Sequence, residues 1–208
     1  SSISDADFNI AGVRVRYPNT SSDTLVKGMP YWLIHDGAPE AWNGVSLEIS
    51  YDQGGSYQPV NAFAMNWNLG DPLQFTPTYP SRQTKIRATV LDSAPFTNVV
   101  DLSDNYFTVA GLLVNSPTNS ATYTIGDVEQ IKWVSAGADP TAVILYSNQG
   151  TNNFSSLTPS GVGNNQVYPG ENTYNWNIAP TLLPSTNARI KVTSATYSHV
   201  SPPFTLRG

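Results

Sequence analysis

The chain has 208 residues, a net charge of −5 and only 12% charged residues. Its ten Lys and Arg are scattered, which lacks the clustered footprint of a nucleic-acid binder or a polybasic membrane patch, and no apolar run is long enough to cross a bilayer as a helix. It has no cysteine, which excludes disulfide staples and thiolate chemistry, while 39% apolar residues with five Trp and eleven Tyr suffice for ordered cores.

Ser, Thr, Asn, Gly and Pro dominate the polar residues, the composition of a neutral, turn-rich β-protein. The first element is SDADFNI, residues 4–10, in which Ala6, Phe8 and Ile10 alternate with Asp5, Asp7 and Asn9. Period two predicts a half-buried strand. The same line returns as SDNYFTV at 103–109, with Phe8 and Phe107 separated by 99 residues, and a looser copy, SPPFTLRG, closes the chain. Each copy reads as the last strand of a unit. The first two run through Ala-Gly into a new first strand, at Val13/Val15 and Leu112/Val114. Residues 1–10 are therefore expected to be the terminal strand of a preceding repeat or a donor strand, with complete units at 11–109 and 110–208.

The interiors agree in the same order. A Pro turn, a Ser/Thr stretch, a Gly and an apolar strand fill 17–34 and again 116–133. A strand, a Gly turn and an aromatic fill 45–57 and 142–154. A strand, a Pro-rich crossing and a strand with Ile86 or Ile190 inward fill 73–90 and 174–193. No window has helical periodicity with a cap and a stop. Short strands punctuated every 8–12 residues predict an all-β chain of two tandem immunoglobulin-like β-sandwich domains.

Ile131-Lys132-Trp133, Ala188-Arg189-Ile190-Lys191-Val192 and Ser103-Asp104-Asn105-Tyr106-Phe107-Thr108-Val109 together resemble the tandem immunoglobulin-like repeats of bacterial secreted and cell-surface proteins. They are also similar to the immunoglobulin-like module of fungal Ser/Thr-rich cell-wall proteins. The resemblance implies a fold and a setting outside the cell, and transfers no active site. The first unit departs from it at Trp-Leu-Ile-His-Asp (32–36), which is followed by an insertion around 37–44.

Titratable groups are sparse, and His35 and His199 fall in different units, so both are read as structural or surface residues and no catalysis is expected. No His or Glu spacing suits zinc. Asp5-x-Asp7-x-Asn9 copies the start of a calcium loop but has Ile10 where Gly is required; Asp101 and Asp104 are the remaining weak calcium candidates. No cofactor is expected otherwise. Trp133, Trp176 and Trp32 lie in strand patterns and are expected to pack inward. Trp42 and Trp67 lie in irregular segments and, with Tyr79 and Tyr168 beside prolines, are the candidate ligand-binding aromatics. The glycines of 160–172 have no following helix or Lys, so that stretch reads as a long loop and not a phosphate cradle. Asn19-Thr20-Ser21 and Asn153-Phe154-Ser155 are glycosylation sequons.

These residues predict a non-catalytic, extracellular or cell-surface structural or adhesive module, a rod-like segment of a longer repeat protein. Its expected partners are adjacent repeats of the same chain or neighbouring protomers, and a cell-surface glycan or protein. The competing expectation is a carbohydrate-binding or accessory module of a secreted hydrolase or protease.

Overall fold

The computed structural model describes residues 12–37, 45–60, 73–91, 99–166 and 170–208, and among them there is no helix. Two compact units form. One holds the described residues from 12 to 107 except 25–27 and 77–82; the other holds those two stretches and the described residues from 108 onward.

The strands up to residue 102 are β1 (Val13–Tyr17), β2 (Thr24–Val26), β3 (Tyr31–Gly37), β4 (Val45–Ser50), β5 (Gln58–Pro59), β6 (Leu73–Phe75), β7 (Ser81–Val90) and β8 (Val100–Leu102). In the first unit β3 pairs antiparallel with β1 on one side and β6 on the other. A second sheet has β4 between β5 and β7, with β8 on the far side of β7. Inward positions alternate as the sequence requires: Leu33, Val45, Leu47, Ile49, Leu73, Phe75, Ile86 and Ala88 are all buried.

The remaining strands are β9 (Phe107–Ser116), β10 (Thr122–Thr124), β11 (Val128–Ala136), β12 (Thr141–Ser147), β13 (Ser155–Ser156), β14 (Val162–Gly163), β15 (Asn172–Asn177), β16 (Ser185–Thr193), β17 (Ser198–Val200) and β18 (Phe204–Arg207). In the second unit one sheet is ordered β9–β11–β15 and the other β10–β18–β16–β12–β13, with β10 parallel to β18. β9, β11 and β15 thus share one sheet, and β12, β16 and β18 the other. That division is the immunoglobulin-like sandwich. The chain is two such β-sandwich domains in tandem.

The second core is built around aromatics. Trp176 meets Phe204 edge-on at 6.3 Å and Tyr146 at 5.1 Å, and Tyr123 lies 5.3 Å from Phe204. Each such pair contributes about 0.5–1.5 kcal/mol beyond the area it buries. Trp133 is fully buried and donates its indole N–H to Asn164 Oδ1 at 2.8 Å.

One device recurs in both units. Ser103 and Ser201 are wholly buried just before the closing strands. The backbone N–H of Ile86 donates to Ser103 Oγ at 3.2 Å, and Ser103 N–H returns a bond to Ile86 O at 2.9 Å. Ile190 and Ser201 repeat the exchange at 3.0 and 2.8 Å. A cation then covers each serine carbonyl: Lys85 Nζ at 2.6 Å on Ser103 O, Arg189 Nη1 at 3.0 Å on Ser201 O. The serine hydroxyl satisfies a backbone N–H that water cannot reach, so its loss costs more than one ordinary hydrogen bond.

The repeat step is not constant. The cis prolines Pro18 and Pro117 are 99 residues apart, but the turn glycines Gly28 (φ +83°) and Gly126 (φ +96°) are 98 apart. Val15 pairs with His35 and Val114 with Trp133, so His35 holds the place of Trp133. The extra residue falls between Pro18 and Thr20, since Asp23 N–H bonds Thr20 O as Ala121 N–H bonds Thr118 O, both at 3.1 Å. It is Asn19. The reading of Trp32 as a packed core residue is therefore corrected: a one-residue slip moves every side chain of a strand to the opposite face. Leu33 and His35 point inward, and Trp32 is 53% exposed.

Ser103→Ala and Ser201→Ala are each expected to lower stability by about 1–3 kcal/mol, because each strands a buried N–H. Ser155→Ala, at an exposed position, is expected to stay within about 0.5 kcal/mol of the native chain. Denaturant titration of the three variants is the measurement; equal midpoints would contradict the role given to the serines.

Candidate functional site

The pairing of Val15 with His35, both buried, fixes what the outer face of the β1–β3–β6 sheet presents. Strand alternation places Trp32, Ile34 and Asp36 outward on β3, with Trp32 and Ile34 53% and 43% exposed. Arg14, opposite Asp36 in register, and Arg16 are exposed on β1, and Gln74 stands opposite Trp32 on β6. Arg16 Nη1 lies 2.9 Å from Asp36 Oδ2. The face is an indole and a sec-butyl group on a sheet surface, flanked by planar polar side chains. Its counterpart in the second unit is different: Gln130 stands where Trp32 does and Lys132 where Ile34 does, and Gln130 donates to Asn175 Oδ1 at 3.3 Å. The first copy presents an aromatic ring among its polar groups, and the second presents Gln130 and Lys132 beside the exposed Val128.

Asn19 is itself held at both ends. Its N–H donates to Asp23 Oδ2 at 2.8 Å and its side-chain amide to Asp104 Oδ2 at 2.8 Å, while Asp104 N–H donates back to Asn19 Oδ1. Asp104 is thus a latch for the inserted residue. Asp101 Oδ2 accepts the N–H of Val15 at 2.8 Å. Each of the two calcium candidates has a carboxylate oxygen on a protein donor, and no three His, Asp or Glu gather among the described residues.

Of the four candidate aromatics, Tyr79 is half-buried and donates its hydroxyl to Asn115 Oδ1 at 3.1 Å. Trp42, Trp67 and Tyr168 lie outside the described residues. The structure adds a groove that the sequence did not suggest. It has a volume of about 330 Å³ in the second unit and is lined by Asn165, Gln166, Glu171, Asn172 and Thr173 with the backbone of Val162 and Gly163. Asn172 ties its floor together, donating to Trp133 O at 3.2 Å and Gln166 O at 3.0 Å and accepting from Gln166 N–H at 3.0 Å. Glu171 Oε1 accepts from Asn115 Nδ2 at 2.7 Å, so Tyr79 and Glu171 share one amide.

No protein-family model and no curated protein matches the chain. Solved structures do resemble it along most of its length. The fibronectin(III)-like modules of Clostridium thermocellum CbhA are 9% identical over 93% of this chain and 91% of theirs, with a TM-score of 0.29. The titin A168–A169 structure is 11% identical over 95% of each chain, with a TM-score of 0.33, and Rst D1–D2 is 14% identical over 94% of this chain and 99% of its own, with a TM-score of 0.31. The fold stands on the strand order described above and not on these values.

The two histidines have separate surroundings. His35 is buried in the first core. His199, on β17, accepts the N–H of Val114 at Nδ1 (3.2 Å), and burial, then the charge of Lys27, lowers its pKa to about 4. A ring whose folded pKa lies below its unfolded value adds stability that is complete above about pH 6.5 and is lost as pH falls towards 4. In the first unit Asp52 titrates lower still. The hydroxyls of Ser50 and Ser56 and the N–H of Ser56 hold it at about 2, so its contribution disappears only below the ordinary carboxylate range. Thermal unfolding followed from pH 7 to 4 is expected to show a loss on the order of 2 kcal/mol from His199, after allowing for its partial exposure. His199→Asn, with an amide oxygen in place of Nδ1, is expected to flatten that slope; an unchanged slope would remove the histidine from the account.

Proposed function

We propose that this chain is a non-catalytic structural or adhesive module that works outside the cell, built from domains at 11–109 and 110–208, and that the outer face of the β1–β3–β6 sheet is its contact surface. The observation that carries the proposal is the contrast between Trp32 with Ile34 in one copy and Gln130 with Lys132 in the other. A water-facing indole and sec-butyl group gain nothing from solvent, and the second unit builds the same sheet with Gln130 and Lys132 in their places. The neutral Ser/Thr/Asn-rich surface and the likeness of the repeat motifs to those of secreted and cell-surface proteins support the setting. Sparse titratable groups, with each histidine packed in its own sandwich, support the non-catalytic reading.

The second unit supplies the test variant. Trp32→Gln combined with Ile34→Lys copies a face that already folds, so the double variant is expected to match the native chain's stability within about 0.5 kcal/mol. Binding of the labelled chain to intact cells of the source organism, read by flow cytometry, is expected to fall at least about tenfold, the equivalent of roughly 1.4 kcal/mol. Equal binding by the two chains would reject this face as the contact surface.

A further inference from the structure

Resting on that reading, we propose that the face around Trp32 binds a polysaccharide, an extended pyranose chain laid flat on the sheet, rather than another protein surface.

Size argues first. About half of the roughly 250 Å² of a Trp side chain is open here, and Ile34 adds less. The apolar area is on the order of 200 Å², against about 800 Å² per partner in a stable protein interface. It is the area that one or two sugar rings cover with their axial C–H faces.

Shape and chemistry argue the same way. Trp32 stands on the face of a pleated sheet with 53% of its surface open, so a ring can stack on the indole while its neighbours continue along the strand. From Trp32 to Asp36 is four residues, on the order of 13 Å at strand rise, which spans two to three pyranose units. Along that line lie groups suited to vicinal hydroxyls. The Arg16–Asp36 pair, 2.9 Å apart, offers donors and an acceptor already set in place; Arg14 stands beside them, and Gln74 is opposite the indole. A protein partner would need a broad apolar centre, and on this face Gln74 stands directly opposite the indole. Gln130 and Lys132 give the second unit hydrogen-bonding groups without a stacking ring, so a single site per chain is expected.

The test uses the full chain. Cello-, chito-, laminari- and mannohexaose are titrated calorimetrically, and cellulose, chitin and insoluble β-1,3-glucan are used in pull-downs. At least one is expected to bind with one site per chain and a Kd of roughly 10 μM–1 mM, the weak range of a shallow site. Trp32→Ala is expected to weaken that binding at least tenfold, and Trp32→Phe, which keeps a stacking face, to remain within about threefold of native. Thermal unfolding of each variant checks that the first sandwich is intact, and the Trp32→Gln/Ile34→Lys chain serves as a folded non-binder. No binding to any of these glycans, or binding indifferent to Trp32→Ala, would overturn the inference. The cell-binding assay separates the two proposals. Periodate oxidation of the cells is expected to abolish binding and protease treatment to leave it; the reverse pattern would make the occupant a protein, ending this inference while leaving the contact face standing.

Discussion

Side chains on a strand alternate between two faces, and this constraint governs how the duplicated chain came to have two different surfaces. A single additional residue upstream of a strand exchanges all of its faces unless the turn absorbs it. Here it is Asn19, placed after Pro18 and held to Asp23 and Asp104. Beyond it, Trp-Leu-Ile-His is threaded so that Leu33 and His35 take the core. The turn absorbs the extra residue, since Gly28 and His35 both stand 98 residues before their counterparts Gly126 and Trp133, and Trp32 faces water because it occupies the outward place of Gln130.

What the two units keep in common is the means of closing. In each, a buried serine bonds both backbone groups of an isoleucine on the neighbouring long strand, and a Lys or Arg covers the serine carbonyl. In each, the closing strand then sends a phenylalanine into the core, Phe107 and Phe204. These contacts involve backbone atoms and deep positions, where substitution costs most. The outer faces carry no such constraint, so they are where the copies diverge.

Much of the fold was legible because it rests on local alternation. Phe107 with Val109, Phe204 with Leu206, and the inward Trp133 and Trp176 could all be assigned by period two, and all are buried. Trp32 differs from that expectation because the turn after Pro18 holds one more residue in the first unit, so the step between the copies falls from 99 to 98 before β3 begins. The signal was present: Gly28 and Gly126 are 98 apart while Pro18 and Pro117 are 99 apart. The groove beside Glu171 had no comparable signal, since Val162, Gln166 and Asn172 come to it from separate strands and a loop. His199 was read as a structural residue, but its bond to Val114 joins positions 85 apart and has no local signature.

Antibody domains bolt their two sheets together with a disulfide. This chain has no cysteine, and its closing strands are fastened by serine, backbone and a cation instead. Its assembly therefore needs neither an oxidant nor a disulfide isomerase, and an unfolded molecule has no scrambled thiol pairing in which to become trapped. A protein fastened this way has no sulfur–sulfur bond for reducing or oxidising surroundings to break or make, so its stability is carried by non-covalent contacts alone.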